Sequence, residues 1–260
     1  MKKAVFFDID GTLWDDDMRI SESTVASIRA LRERGSYAFL CSGRSRVNIC
    51  SEALLGIGFD GVVASCGAHI DFQGEKIFEK LLSREEVAHA LGVMESRRAL
   101  IVLEGPEYAY VNLEDFGDNP YVSYLRRELG ESLKNLREYT EYEINKLSVE
   151  ISDGSTADIP EALGDRFDVI FHNECLMEIV PKGFSKASGI EKVCGLLGIA
   201  RGDTYAFGDS ANDLEMLKYV AHGIAMGNGT AAAKEAAEYV TTDIRENGIE
   251  NGLRHYGLIA

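Results

Sequence analysis

Short apolar runs alternate with helical patterns over the first and last thirds of the chain. A short apolar run between turn residues is typical of a buried strand, and apolar residues three or four apart are typical of a helix. Segment 21–34, for example, places Val25, Ile28 and Leu31 on one face and is followed by Gly35, a helix stop. The patterns predict strands at 4–7, 37–41, 61–64, 204–207, 223–226 and 239–241, and helices at 21–34, 48–55, 186–197, 213–219 and 231–237. Such alternation predicts a doubly wound, mostly parallel α/β sheet covered on both faces.

The middle third has a different pattern. It predicts helices at 84–97, 121–128 and 160–163, a hairpin of strands 99–103 and 108–112 around Gly105-Pro106, and strands at 146–152 and 168–171. Because strands and helices no longer alternate regularly, this stretch is expected to form an α+β domain inserted into the sheet domain. We place the inserted domain at 83–182 and the main domain at 1–82 and 183–260.

Composition narrows the class of protein. Of the 260 residues, 45% are hydrophobic and 27% are charged, which is typical of a globular protein, and the net charge of −16 argues against nucleic acid or an anionic membrane as a partner. Asp8 and Asp10 interrupt the first apolar run, so no signal peptide or membrane span is expected. The five cysteines form no C-x-x-C pair. We expect a cytoplasmic protein with reduced thiols, as a monomer or small homo-oligomer.

Two carboxylates follow the first predicted strand directly, in Asp8-Ile9-Asp10-Gly11-Thr12. Ligands of an open parallel sheet bind beyond the carboxyl ends of its strands. Alternation along an extended segment puts Asp8 and Asp10 on one side, and Gly11 permits a sharp turn. A divalent cation with hard oxygen ligands, such as Mg²⁺, would offset their repulsion. A strand-end turn with two solvated acids is the structural alternative.

A second acidic segment, Gly208-Asp209-Ser210-Ala211-Asn212-Asp213, follows a predicted strand in the same way. If a helix begins near Ser210, Asp209 and Asp213 can both face one point near its N-terminus. Capping of that helix is the alternative role for these carboxylates. The presence of another acidic strand end favours a shared metal site.

Two further segments have the chemistry of phosphate binding. Ser42-Gly43-Arg44 ends the second predicted strand, where the serine hydroxyl and backbone N–H groups can hold a phosphate oxygen. Lys186 is the first residue of a predicted helix, and the N-terminal end of the helix dipole is unfavourable for a cation. Pairing of Lys186 with phosphate and with Asp8 would explain a lysine at this position. Lys182 competes with Lys186 for the role of phosphate-binding lysine. The structural alternatives are an ordinary turn at Ser42-Gly43 and a solvated lysine at either of the two lysine positions.

In this combination the chain resembles the haloacid dehalogenase (HAD) superfamily, whose pattern is DxDGT, then Ser or Thr, then Lys, then GDxxND. The insert resembles the type IIB cap of the Cof-like phosphatases, and the resemblance extends over essentially the whole chain. It implies a Rossmann-like core, a specificity-determining cap and Mg²⁺-dependent hydrolysis of a small phosphorylated metabolite, such as a sugar phosphate, through an aspartyl-phosphate.

The resemblance also assigns roles to residues. Asp8 would be the nucleophile and a metal ligand, and Asp10 the general acid and base, with its backbone carbonyl on the metal. Asp209 would complete the protein ligands. The remaining roles are phosphoryl binding by Ser42, Gly43, Arg44 and Lys186, and orientation of Lys186 or metal-bound water by Asn212 and Asp213.

Two features fall outside this assignment. Cys66-Gly67-Ala68 stands where relatives usually have Asn-Gly-Ala, and a thiol replaces an amide poorly in hydrogen bonding, so a substrate contact from that loop is in question. We expect Cys66 to be buried. Most of the inserted domain's six tyrosines are expected to be core or surface residues rather than substrate contacts: Tyr108, Tyr110, Tyr121, Tyr124, Tyr139 and Tyr142.

The residues leave two other functions open. A phosphomutase would use the same aspartyl-phosphate and return the phosphoryl group to a second hydroxyl. A non-catalytic module would use the site to sense metal or phosphate. Retention of Asp10 disfavours the sensor, because binding alone needs no acid or base.

Overall fold

The apolar run Ala4-Val5-Phe6-Phe7 is fully buried and forms a central strand of the first of two sheets. The computed structural model describes residues 2–97, 99–152 and 156–260. Two units are distinguished along the chain. One contains Met1–Gly43, Ser51–Phe78 and Ser185–Ala260, and the other contains Arg44–Cys50 and Glu79–Phe184. The sequence analysis places residues 44–50, 79–82 and 183–184 in the main domain, whereas the structure places them in the second unit.

The strands and helices are numbered in chain order. The strands are β1 (Ala4–Phe7), β2 (Tyr37–Cys41), β3 (Gly61–Ala64), β4 (His69–Phe72), β5 (Glu75–Glu79), β6 (Leu100–Glu104), β7 (Ala109–Val111), β8 (Leu133–Asn135), β9 (Lys146–Glu150), β10 (Phe167–Phe171), β11 (Leu176–Pro181), β12 (Thr204–Gly208), β13 (His222–Ala225) and β14 (Tyr239–Val240). The helices are α1 (Glu22–Glu33), α2 (Glu52–Leu55), α3 (Arg84–Met94), α4 (Leu113–Phe116), α5 (Pro120–Leu129), α6 (Ile159–Leu163), α7 (Lys186–Leu197), α8 (Leu214–Tyr219), α9 (Ala231–Ala236) and α10 (Gly248–His255). Within the described residues, none of these helices has the length and apolar character needed to cross a membrane.

The first unit is built on a sheet of order β14-β13-β12-β1-β2-β3-β4-β5. Neighbouring strands from β14 to β3 are parallel, and β4 runs antiparallel to β3. Helices cover both faces, since Phe6 packs in one cluster with Ile190 of α7 and Met216 of α8, whereas Gly252 of α10 lies against Phe207. The predicted mostly parallel α/β sheet is therefore confirmed.

The second unit contains a six-stranded sheet of order β10-β11-β9-β6-β7-β8. Its strands pair antiparallel except β7 with β8, and the predicted hairpin is present as β6 and β7. One face packs with α3 and α6, since Leu147 shares a hydrophobic cluster with Val87 and Ile159, and α5 covers part of the other face. This is the mixed α+β arrangement expected for the middle of the chain.

The predicted helix at 48–55 is wrong in its first half. Residues Arg46–Asn48 form a 3₁₀ turn, and α2 begins only at Glu52 because the Ser51 hydroxyl accepts a hydrogen bond from Leu54 N and caps it. Six further elements of the structure were not predicted from the sequence: β4, β5, β8, β11, α4 and α10. β5 lies at a sheet edge and its residues are exposed or half-buried, so it lacks the apolar signal of a central strand. α10 contains Gly248 and Gly252, which have poor helix propensity.

The tyrosines of the second unit pack mainly against one another. Tyr110 is buried, and its ring meets those of Tyr139 and Tyr142 edge to face at centroid distances of 5.2 and 5.1 Å. Tyr121 and Tyr124 stack at 6.3 Å. Such packing is what a small domain needs for its core, in line with the expectation from the sequence.

A lysine is buried within the sheet of the second unit. Lys146 of β9 is 1% exposed, and its Nζ lies 2.5 Å from Glu178 Oε1 and 3.7 Å from Glu104 Oε1. The register explains the grouping, because Lys146 pairs directly with Glu104 on β6 while Ser148, two residues on, pairs with Glu178 on β11. The sheet thus places both glutamates around one ammonium group.

The two glutamates are further satisfied by neighbours. Glu104 accepts hydrogen bonds from Ser148 Oγ and, at 2.6 Å, from Asn48 Nδ2. Burial alone would raise the pKa of Glu178, but Lys146 and His172 outweigh burial and lower this pKa to about 2. The carboxylate is therefore held ionised by its partners.

We expect Lys146→Met to lower the free energy of unfolding by about 3–5 kcal/mol, because it leaves two buried carboxylates without their cation. The change is measured by urea denaturation. The matched control is Lys182→Met, since Lys182 pairs with Asp168 at the surface of the same unit, and this variant should unfold almost as wild type does. Equal losses in the two variants would contradict the assignment of Lys146 as a buried charge.

Candidate active site

Two aspartates leave the carboxyl ends of adjacent parallel strands. β1 pairs with β12 so that Phe7 lies opposite Phe207, and Asp8 N donates a hydrogen bond to Phe207 O at 3.0 Å. Asp8 and Asp209 therefore follow the two strands at nearly the same level. Gly11, with φ of +80°, turns the chain here, and a Cβ on it would lie 2.5 Å from Asp209 Oδ2. Glycine is required at this position for both reasons.

Lys186 lies between two of the carboxylates. Ser185 caps α7 through its hydroxyl, which accepts from Ser188 N, so the helix begins at Lys186. The lysine is 1% exposed, and its Nζ donates to Asp8 Oδ1 and to Asp213 Oδ1, both at 2.6 Å. The pairing of Lys186 with Asp8 that the sequence suggests is thus present in the geometry.

The site carries more negative than positive charge. Burial, followed by the charge of Asp213, raises the pKa of Asp8 well above its ordinary value, although Lys186 acts in the opposite direction. Burial alone would lower the pKa of Lys186, but Asp213 and Asp8 outweigh it and raise this pKa. Burial and Asp213 raise the pKa of Asp209 to about 6. One ammonium cannot neutralise three carboxylates, so the site favours a further cation.

The carboxylates are close enough to hold that cation. Within the described ranges, Asp8, Asp209 and Asp213 each offer a ligand oxygen, and these atoms lie within 4.8 Å of one another. Asp213 has both oxygens engaged, because Lys186 binds Oδ1 while the N–H groups of Asp209 and Ser210 bind Oδ2 at 2.9 and 3.0 Å. Asp8 and Asp209 are therefore the better ligands. Carboxylate oxygens suit a hard divalent cation.

Two residues that the sequence analysis did not assign hold the predicted acidic groups. Trp14 Nε1 donates to Asp10 Oδ1 at 2.9 Å, and the buried Thr12 Oγ1 donates to Asp209 Oδ1 at 3.0 Å. Asn228 Nδ2 donates to Gly11 O at 2.7 Å and so fixes the turn after β1. The position of Thr12 in the DxDGT pattern was a signal that could have identified it. Trp14 is the only tryptophan of the sequence, but nothing in the sequence indicates its contact with Asp10.

The Ser42-Gly43-Arg44 segment is divided between the two units. Ser42 and Gly43 lie in the first unit, where Ser42 is buried, its N–H donates to Val63 O at 2.8 Å, and its carbonyl accepts from Cys66 N at 3.2 Å. Arg44 lies in the second unit, where Nη1 donates to Tyr124 Oη at 3.4 Å. Ser42 therefore follows the carboxyl end of β2, as expected from the sequence.

The remaining predicted residues differ in their contacts. Asn212 Oδ1 accepts from Ser210 Oγ at 2.9 Å, and within the described residues it makes no hydrogen bond to Lys186. Of the two residues expected to orient Lys186, Asp213 therefore bonds the lysine directly and Asn212 bonds Ser210 instead. Lys182, the competing candidate, pairs with Asp168 at 2.6 Å on the surface of the second unit. Cys66 is buried, as expected.

Comparison with known proteins identifies relatives over the full length of the chain. The family model described as haloacid dehalogenase-like hydrolase matches residues 5–253. "Putative phosphatase YkrA" of Bacillus subtilis (strain 168) is 31% identical over 262 residues, which cover 99% of this chain and 98% of that protein. The 5-amino-6-(5-phospho-D-ribitylamino)uracil phosphatase YitU of the same organism is 26% identical, over 97% of this chain and 96% of its own length.

A solved structure has the same fold. The HAD subclass IIB sugar phosphatase BT4131 superposes with a TM-score of 0.83 and 25% identity, covering 99% of this chain and 100% of that one. Both sheets described above therefore belong to a known architecture. The likeness agrees with the HAD resemblance noted in the sequence motifs.

We expect a divalent cation to stabilise the folded chain, because only the folded state brings Asp8 and Asp209 together. At a hundredfold excess over Kd the gain would be about 2.7 kcal/mol. Differential scanning calorimetry with added cation and then with EDTA measures it. Asp209→Asn should lose the gain, whereas Asp16→Asn, at an exposed acid of the same unit, should keep it. A melting temperature unaffected by cation in wild type would rule out the site.

Proposed function

This chain belongs to the haloacid dehalogenase-like hydrolases and is a phosphatase of that family, and we propose that it hydrolyses a small phosphorylated metabolite through a phosphoryl group carried on Asp8. The observation that carries the proposal is the ammonium of Lys186, buried between Asp8 and Asp213. It places positive charge beside a carboxylate at a strand end, where ligands of parallel sheets bind.

In the first proposed step, an Asp8 carboxylate oxygen attacks the phosphorus atom and the bond to the leaving oxygen breaks. Asp10 gives a proton to that oxygen. In the second step Asp10 takes a proton from water, the water oxygen attacks phosphorus, and the bond to Asp8 breaks to release phosphate. Two displacements through a covalent intermediate replace one difficult step.

Lys186 and Ser42 are proposed to bind the transferring phosphoryl group, with Gly43 permitting close approach and Arg44 assisting. Asp213 keeps Lys186 in place and charged. General acid catalysis contributes only about 10²–10⁴-fold, so positioning and charge neutralisation must supply most of the acceleration. Lys186, which is buried with its Nζ 2.6 Å from Asp8 Oδ1, suits the role of positioning and neutralising the phosphoryl group.

We propose Mg²⁺ as the cation, which the carboxylates of Asp8 and Asp209 and the backbone carbonyl of Asp10 would hold. When bound, it would supply positive charge to the phosphoryl oxygens. The excess of carboxylates over ammonium groups and the raised pKa of Asp8 support a cation here. Asp213, already satisfied by hydrogen bonds, orients Lys186 instead.

The substrate is proposed to be a small phosphorylated metabolite such as a sugar phosphate. YitU is named for a phosphorylated ribityl compound and BT4131 for sugar phosphates. Residues 83–182 are proposed to act as a type IIB cap that sets the leaving-group preference. No specific observation favours a phosphomutase or a sensor.

We expect wild type to release phosphate from at least one compound in a panel of phosphorylated metabolites with Mg²⁺, and EDTA to abolish the release. Asp8→Asn should lower the rate by at least about 10³-fold, because the covalent route is lost. Phosphate release is measured colorimetrically, and rapid quenching with labelled substrate should place the label on the peptide that contains Asp8.

Asp16→Asn serves as the control for removal of one carboxylate from the same unit and should retain wild-type activity. Release that persists in Asp8→Asn would refute Asp8 as nucleophile. No release from any compound, in protein shown to bind Mg²⁺, would refute hydrolysis itself.

We also expect Trp14→Phe to lower kcat by about tenfold, because an aromatic ring is retained while the N–H that orients Asp10 is lost. Steady-state kinetics on the best substrate measures the effect, with Asp10→Asn as the larger reference loss. The role of Trp14 would be disproved by an unchanged kcat in Trp14→Phe alongside a large loss in Asp10→Asn.

A further inference from the structure

The turn that follows β3 has an unusual backbone. Ser65 and Cys66 both have φ of +52° and Gly67 has φ of +86°, so three successive residues occupy the left-handed region. Only glycine adopts this region without steric cost. The buried hydroxyl of Ser65 has no hydrogen-bond partner in the described part of the chain. The turn must therefore be stabilised by what it packs against, and strained backbone of this kind often occurs at functional sites.

One side of the turn holds Ser42. Cys66 N donates to Ser42 O at 3.2 Å, and Ser42 N donates to Val63 O at 2.8 Å, so both backbone groups of Ser42 are bound by β3 and the turn. Cys66 and Ser42 are almost fully buried. The turn thus fixes the backbone of a residue proposed to bind the phosphoryl group.

The other side of the turn packs on the start of α7. A Cβ on Gly67 would lie 2.8 Å from Ser185 O and from both N and Cα of Gly189. A Cβ on Gly189 would lie 2.5 Å from Val63 Cγ1 and 2.8 Å from Gly67 Cα. Since a Cβ atom essentially never comes closer than 3.0 Å to a heavy atom of a residue that is not its chain neighbour, the contact leaves no room for a methyl group on either glycine.

Lys186 lies close to this contact along α7. It is three residues before Gly189, on the same face of α7. Its two bonds of 2.6 Å, to Asp8 and Asp213, are short and leave little tolerance for movement of the helix. A shift of α7 by about 1 Å would break the arrangement, and misplacement on that scale can cost about 10²-fold in rate.

We propose that Gly67 and Gly189 are positioning residues, and that their contact sets the distance between the Ser65–Gly67 turn and α7. The turn thereby places the Lys186 ammonium against Asp8 and, through Cys66 N–H, fixes the backbone of Ser42. The inference rests on the proposed function and extends it to residues that touch neither substrate nor metal.

The test compares two alanine substitutions on α7. Gly189→Ala introduces a methyl group into the contact, whereas Gly195→Ala introduces one where no atom lies within 4 Å. Both raise helix propensity equally, so only the contact differs. We expect Gly189→Ala to lower kcat by about 10²-fold, with a smaller change in KM. Gly195→Ala should stay within about twofold of wild type.

A crystal structure of each variant gives a readout independent of activity. In Gly189→Ala, Lys186 Nζ should no longer lie within hydrogen-bond distance of both Asp8 and Asp213, while the melting temperature shows that the chain is folded. Gly67→Ala should act in the same direction, although its positive φ adds strain.

Wild-type kcat in folded Gly189→Ala, or a loss of kcat with both Lys186 bonds intact, would overturn the proposal. If wild type hydrolyses nothing, the proposed function fails. The Lys186 distances in the two variant structures then decide the positioning inference alone.

Discussion

The burial of Lys186 among carboxylates is the constraint on which the first unit depends. Taking an ammonium group and carboxylates out of water costs several kcal/mol per ion unless their geometry and hydrogen bonds are good. The chain meets this condition by bringing together the ends of β1 and β12 and the first turn of α7, with bonds of 2.6 Å to Asp8 and Asp213. Asp213 is in turn fixed by two backbone N–H groups. Any change in the spacing of these elements exposes an uncompensated charge.

Much of this arrangement could be predicted because its signals are local. An apolar run marks the four buried residues before Asp8, and Ser185 precedes the start of the helix at Lys186. The predicted bounds of β1 and α7 agree with the structure. A parallel sheet then gathers strand ends at one edge whatever the intervening sequence. The acidic site was therefore predictable from strand ends alone.

The rest depends on packing that no local pattern records. Arg44 stands two residues after Ser42, yet it lies in the other unit and bonds Tyr124. Trp14 gives no sign in the sequence that its N–H reaches Asp10. β5 was missed because an edge strand with half-exposed residues lacks the apolar run of a buried one. In each case tertiary context, rather than propensity, decides the outcome.

The two buried lysines show how a structural charge differs from one available for chemistry. Lys146 and its glutamates are closed by the protein's own donors, among them Ser148 and Asn48 on Glu104, and such a cluster stabilises one register of the sheet. Around Lys186, by contrast, burial and like charge raise the pKa of Asp8, so that site lacks positive charge. A deficit of that sign costs stability in the protein alone, and either protonation of a carboxylate or binding of a cation would relieve it. Such a cost is expected of a site that serves to bind a cation and a phosphoryl group, which is the function proposed for it.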